Sequence, residues 1–426
     1  MVETTSRHNG AGASAAAPDW AALVQEDRVH RRVYTDPAIF ELEMERIFAR
    51  VWAFVGHASE VAQPGDYTTT RLGRQPVIMT RDPQGEIHVL FNRCPHRGAV
   101  VCREERGTSG RFRCVYHGWT FNNRGQLIGV PYRDGYGDDP PTEGLTPVPR
   151  MAVYRGFVFA CLRADVEPLE TYLGLAKGYL DRIVDRSPEG EIEVTKGLQK
   201  YVFYANWKLQ LENFVDSYHP SFTHESAFER FYQRTGRPGG RGDEGSENVY
   251  LGNGHSMLDY AAAVGGPQRI DARVDEAHRD RLVERLGTAQ AELVLTRAAL
   301  NLALWPNLLF QSPRQHYRVV RPISVDCTEV YAYPYRLKGV ADAENDRQVR
   351  SVAIWAGAAG LGQPDDIEAF DRVQEGLGIP SLEWVLFHRG RQRERVEPSG
   401  EVRGRGADEV AQRGQHREYR RLMAQE

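Results

Sequence analysis

Cys94-Pro-His96-Arg-Gly98 and, further along, Cys114-Val-Tyr-His117-Gly-Trp119 each place one thiol and one imidazole in a short segment. The flanking sequence says what carries them. Pro76-Val-Ile-Met-Thr80 and Ile87-His-Val-Leu-Phe91 are β-rich runs separated by a turn signal at Asp82-Pro-Gln-Gly85. A second hairpin signal, Asn122-Asn-Arg-Gly125, follows Trp119-Thr-Phe121. Seventeen residues lie between His96 and Cys114, so two loops at the tips of adjacent hairpins can close over a metal from both sides. Pro95 and Gly98 suit the tight turns that present both side chains of the first loop. Residues 49–164 therefore read as a small all-β domain.

Outward from this domain the pattern changes. With 426 residues, two domains are expected. Upstream, Asp36 can cap a helix that Pro37 opens, with Phe40, Met44, Ile47 and Phe48 on its buried face. Residues 20–48 thus form a helical lead-in, and 1–19, small and polar, read as a disordered tail without the apolar core of a secretory signal. Downstream, 165–426 alternates helical and extended stretches. Leu169 to Val184 looks helical and Glu191 to Phe203 extended. Asn206 to His224 looks like a helix running into a turn, and the five glycines from Gly236 to Gly245 like a mobile loop. A charged-then-apolar helix is expected from Asp275 to Leu304. Strands follow at Asn307 to Gln311, His316 to Arg321 and Glu329 to Tyr335, then a helix from Asp365 to Gly376. The Arg- and Glu-rich end, His388 to Glu426, reads as a solvated arm or subunit contact.

Composition excludes several roles. Hydrophobic residues make up 41% and charged residues 26%, as in globular chains. A net charge of -4 argues against a nucleic-acid partner. No apolar run approaches a membrane span, and a cytoplasmic location is expected. Five cysteines are too few for a disulfide framework. Cys102, Cys161 and Cys327, lacking partner spacing, read as small buried apolar residues.

The donor set of the two loops fits two chemistries: a tetrahedral structural zinc site, or a two-iron two-sulfur cluster in which two cysteines hold one iron and two histidines the other. A second constellation lies in Asn206-Trp-Lys-Leu-Gln-Leu-Glu-Asn213-Phe214-Val-Asp216-Ser-Tyr-His219, continuing through Pro220 to His224. Asp216 and His219 are three apart and would share a helix face. Pro220 should break that helix and turn His224 back toward His219. Taken alone, two histidines near a carboxylate read as structural; beside a two-iron two-sulfur site they read as the facial triad of oxygen-activating ferrous iron. The third ligand is sought in Asp365-Asp366, with Asp366 preferred, although either aspartate could instead cap the following helix.

Both motifs together resemble the large (alpha) subunit of aromatic-ring-hydroxylating dioxygenases, which are Rieske non-haem iron oxygenases. The similarity runs from about Asp27 to the C-terminus. Gly118-Trp119 and the order C-x-H, C-x2-H are those of the Rieske family. Asp27-Arg-Val-His-Arg-Arg-Val-Tyr34 and Gln415-His-Arg-Glu-Tyr419 look most like its benzoate, anthranilate and salicylate branch. The resemblance implies an α+β chain, its all-β Rieske domain inserted near the N-terminus of a helix-grip catalytic domain with an antiparallel sheet. It also implies a Rieske [2Fe-2S] cluster on Cys94, His96, Cys114 and His117, and a mononuclear Fe(II) on His219, His224 and Asp366. Asp216 then bridges His219 to His117 of the next subunit. Asn213 and Phe214, next to these ligands, are expected either to line the substrate pocket or to serve as ordinary packing residues. NAD(P)H would supply electrons through a reductase, directly or through a ferredoxin. The further partners implied are O2, a small aromatic substrate (an aromatic carboxylate), a small beta subunit and a trimeric arrangement. The implied reaction is cis-dihydroxylation of the ring. A Rieske monooxygenase or demethylase would share the site, a pure electron carrier would lack the second one, and a zinc scaffold would be colourless.

Overall fold

Strand alternation in the first half of the chain builds two cores from one sheet. The structure, a computed structural model, describes residues 18–235, 245–259, 276–297 and 300–425. The tail and the glycine loop expected from the sequence lie almost wholly outside these residues. In the four-stranded sheet Ile87–Phe91, Gln75–Arg81, Asp66–Leu72, Arg106–Thr108, successive side chains point to opposite faces. Ile78 and Leu90 enter a core with Cys94, Cys114, Phe112 and Trp119. Val77, Met79 and Val89 enter another, shared with Ala53–His57 and Phe157–Cys161. A third sheet, Arg111–Arg113, Thr120–Asn122 and Leu127–Gly129, carries the second thiol–imidazole loop.

The rest of the chain is organised by a ten-stranded sheet, antiparallel in every pairing. His316–Ser324 and Cys327–Leu337 form its longest hairpin. The helix Trp207–Phe214 packs on this sheet. Upstream, Asp36 caps the helix Pro37–Glu43 and Pro37 occupies its first turn. A wider π turn, Met44–Phe48, continues it. Phe40, Ile47 and Phe48 are buried. No described helix is long and apolar enough to cross a membrane.

Several elements differ from the sequence reading. The expected long helix from Asp275 divides into Glu276–Leu286 and Thr288–Arg297, interrupted at Gly287 with φ +77°. Its apolar end, Leu300–Leu304, is instead an interior strand between His255–Asp259 and Leu308–Gln311. An apolar run of that length is compatible with either state, and pairing on both edges decides it. Gly174 (φ +47°) likewise splits Leu169 to Val184 into two helices. Cys327 is only half-buried.

The largest correction concerns the C-terminal segment. Val410–Met423 is a helix laid against Glu247–Asp259, not a solvated arm, and most of its residues are buried. Gly414 is needed there, because a Cβ would sit 2.1 Å from the Tyr250 ring. Inside, Arg413 Nε pairs with Glu394 at 2.6 Å, and His416 Nε2 lies 3.2 Å from Glu212 Oε1. Charge-rich composition alone cannot reveal such partners. The same helix closes a buried network in which Glu43 accepts from Lys208 Nζ, Trp207 Nε1 and Tyr419 Oη. Glu43 and Lys208 are buried, and removing one member of such a pair strands a charge in low dielectric. The network pins the helix Trp207–Phe214 between the chain's two ends.

Candidate metal centres

The two thiol–imidazole loops share one backbone solution. Cys94 N–H donates to Ala99 O at 2.8 Å, and Gly98 N–H donates back to Cys94 O at 2.9 Å. In the second loop Cys114 N–H donates to Trp119 O at 2.8 Å and Gly118 N–H to Cys114 O at 3.0 Å. Gly98 and Gly118 have φ of +76° and +73°, the left-handed region where a side chain is strained. Both thiols are buried, and burial pushes the Cys94 thiol up. The imidazoles are half-buried, their ring centres 4.5 Å apart. His96 lies parallel to the Trp119 indole at 5.0 Å.

Sequence reasoning missed Asn92 behind the first loop. Its Oδ1 accepts from Val101 N–H (3.0 Å) and Cys102 N–H (2.9 Å), and its Nδ2 donates to Cys102 O. Two inner sulfurs and two outer nitrogens are the donor set a mixed-ligand cluster requires.

The second site is assembled over long range. Asn206 caps the helix Trp207–Phe214, which ends before Asp216. Asp216 and His219 therefore do not share a helix face. The Asp216 carboxylate instead holds a turn, accepting from Tyr218 N–H at 2.6 Å and His219 N–H at 3.2 Å. Its Oδ2 also meets His219 Nδ1 at 3.1 Å. Pro220 does not break a helix but opens a short one, Pro220–Thr223, where its missing N–H costs nothing. That turn carries His224 round to face His219.

The helix Gln363–Leu377 supplies the carboxylates. Gly362 holds its N-cap position, so neither Asp365 nor Asp366 is the cap. Asp366 Oδ1 lies 3.5 Å from His219 Nε2 and 3.3 Å from His224 Nε2. All three donor atoms fall within 4.8 Å of one another. Bonds of about 2.0–2.2 Å to nitrogen and oxygen put neighbouring donors of one ion roughly 3 Å apart, so the set fits a metal. Asp365 has a different position: its Oδ2 meets His224 Nδ1 at 3.2 Å. Each histidine thus points Nε2 at the common centre and has a carboxylate behind Nδ1, Asp216 for one and Asp365 for the other. Such outer partners fix the tautomer and the ring orientation. The sequence offered no sign of this second role for Asp365.

Asn213 Nδ2 lies 3.2 Å from both His219 Nε2 and Asp366 Oδ1, placing the amide at the rim of the centre. Phe214 is buried beside it. Burial alone would raise the Asp366 carboxyl, but the hydrogen bond to His224 and the nearby positive groups hold it below its ordinary value. Burial pulls His224 down, and its two aspartates bring it above the usual range.

Comparison with known proteins adds an independent line. The Rieske [2Fe-2S] domain model matches residues 51–149, and the model of the ring hydroxylating alpha subunit catalytic domain matches residues 191–425. The chain is 39% identical over 378 residues to the alpha subunit of toluate 1,2-dioxygenase from Pseudomonas putida, covering 84% of this chain and 82% of that protein. It is 34% identical over 412 residues to the 2-halobenzoate 1,2-dioxygenase large subunit of Burkholderia cepacia, covering 89% and 85%. A structure of naphthalene 1,2-dioxygenase with indole in the active site superposes with a TM-score of 0.83 at 27% identity, covering 95% of this chain and 94% of that one.

Proposed function

The chain belongs to the ring-hydroxylating alpha-subunit family of Rieske non-haem iron oxygenases, and from that premise we propose that it dihydroxylates an aromatic carboxylate at an iron held by His219, His224 and Asp366. The observation that carries this reading is the convergence of His219 and His224 Nε2 on one oxygen of Asp366. Cys94, His96, Cys114 and His117 hold the [2Fe-2S] cluster in this reading, with 49–164 as its domain and 165–426 as the catalytic one. The carboxylate in the substrate is supported by two relatives, whose names specify a toluate and a halobenzoate dioxygenase.

When bound, the two centres supply stored electrons and dioxygen activation respectively. The chain's own residues prepare that chemistry. Asp216 and Asp365 keep the proton on Nδ1 of His219 and His224, which leaves each Nε2 lone pair for the metal. Asn213 orients Asp366. Asp216 keeps part of its surface exposed, so it can also accept a hydrogen bond from His117 of a neighbouring copy and link the two centres.

Electrons come from NAD(P)H through a reductase, directly or through a ferredoxin, and the assembly is a trimer with a small beta subunit. The designation of the relatives as alpha or large subunits supports that companion.

The test is oxygen uptake by the purified, reductase-coupled protein on toluate, benzoate, anthranilate and halobenzoates, with labelled dioxygen. Both atoms are expected in a single product molecule. Incorporation of one atom per product, or a preparation without acid-labile sulfide, overturns the reading.

A further inference from the structure

One buried positive charge beside the proposed iron centre has no ion-pair partner among the described residues. Arg318 lies in the strand His316–Ser324 and is 6% exposed. It pairs across the ladder with Leu309 and Ala332. One pleat on, Val320 pairs with Val330, which pairs with Tyr201. Arg318 and Tyr201 therefore share a sheet face, and the helix Trp207–Phe214 packs against the arginine's strand. Arg318 Nε donates to His316 Nε2 at 3.3 Å and Nη1 donates to Tyr201 Oη at 3.4 Å. Its guanidinium carbon stands 5.2 Å from the centre of the Phe214 ring.

Both hydrogen-bond partners are neutral. Burial holds the His316 imidazole well below its ordinary range and the Tyr201 phenol up at about 12. No carboxylate of the described residues forms an ion pair with Arg318. The acid in its field is Asp366, whose Oδ1 is already engaged by Asn213, His219 and His224. A dication on that triad would draw the Asp366 charge to itself and leave Arg318 with no carboxylate of its own among the described residues. An uncompensated buried guanidinium is costly unless a ligand completes it.

A second orphan lies alongside. Tyr201 Oη donates to Gln210 Oε1 at 2.9 Å, while the buried Gln210 Nε2 has no partner among the described residues. Gln210 stands one turn before Asn213 on the same helix face, so this free amide points along the side that borders the iron centre.

We propose that Arg318, with the Gln210 amide beside it, receives the carboxylate of the substrate and thereby sets which ring edge meets the metal. The planar guanidinium fork matches a carboxylate with two parallel hydrogen bonds, which a lysine cannot reproduce. The inference rests on the aromatic-carboxylate reading above and supplies the residue that enforces it.

The experiment titrates the holoenzyme with benzoate and, separately, with nitrobenzene, a neutral ring of nearly the same shape, by calorimetry. Wild type is expected to prefer benzoate. Arg318→Gln is expected to lose benzoate affinity by about 30-fold or more, the scale of a charge-assisted hydrogen bond, with nitrobenzene changed by less than about threefold. Arg318→Lys should fall between. Unchanged cluster absorbance and iron content identify variants that have kept the fold. Benzoate affinity of Arg318→Gln within about threefold of wild type overturns the assignment and leaves the substrate class standing. A wild type that binds nitrobenzene but not benzoate overturns both, before any variant is made. Should Arg318→Gln fail to fold, Tyr201→Phe serves instead. Losing the oxygen that holds Nη1 and fixes the Gln210 amide should weaken benzoate roughly 3- to 10-fold and spare nitrobenzene, and equal loss on both ligands overturns the proposal.

Discussion

Gly98 and Gly118 close the two thiol–imidazole loops with hydrogen bonds that stay inside those loops, whereas His224 meets its aspartates across a sequence separation of about 141 residues. In the first region each ligand pair is positioned by its own turn, and only the docking of two hairpin tips is left to the fold. In the second, a turn held by Asp216 must face a helix from late in the chain. Everything that fixes both elements then becomes part of the site. The Glu43–Lys208 pair, with Trp207 and Tyr419, belongs to that support although it touches no ligand. The difference teaches that the cluster site should be damaged from nearby and the iron site from far away.

The sharpest break in this comparison is Asp366→Ala. Turnover should fall by more than about a thousandfold, exceeding the 10–100-fold typical of outer partners, with the mononuclear iron lost and the cluster spectrum intact. Iron analysis beside visible absorption reads both. Its mirror image is His96→Ala, which should bleach the visible bands and leave the other iron in place; an unchanged spectrum would reject the ligand.

Asp216→Ala tests the link between the regions. With iron supplied in excess to offset the loosened His219, both metals should be present while product formation drops about 100-fold, and normal turnover by a metal-replete variant would falsify the role. Asp365→Ala, acting only through His224, should weaken iron retention by about tenfold in a chelator competition. Smallest is Gly118→Ala. The added Cβ meets a positive φ and stands 2.9 Å from Pro131 Cγ, so stability should fall by roughly 1–2 kcal/mol in chemical denaturation. A cost below that would mean the second loop is less constrained than its hydrogen bonds imply.

The same contrast accounts for what could be read in advance. The Cys and His spacings of the two loops, the hairpins bearing them, and the Asp36-Pro37 helix start are local patterns, and they stand where local physics puts them. The Asp216–His219 contact was expected from helical spacing, but it arises from a side-chain-held turn, because the helix already ends at Phe214. The hairpin of Glu247–Gly252 and His255–Asp259 and the helix Asp342–Ala356 were not anticipated. In the first of these, Asn253-Gly254 was an available turn signal.

The sequence by itself determined the two Cys/His loops, the His219–His224 pair, the order of the two regions and the family they imply, since spacing of a few residues constrains which side chains can share a loop. Only the tertiary structure decided that Asp366 joins the histidines while Asp365 stands behind one of them. It alone also buried the charged C-terminal helix and left Arg318 with no ion-pair partner among the described residues. These facts depend on which surfaces pack together. A pattern of residue types along the chain carries no record of the partner that will neutralise a charge from hundreds of positions away, or fail to.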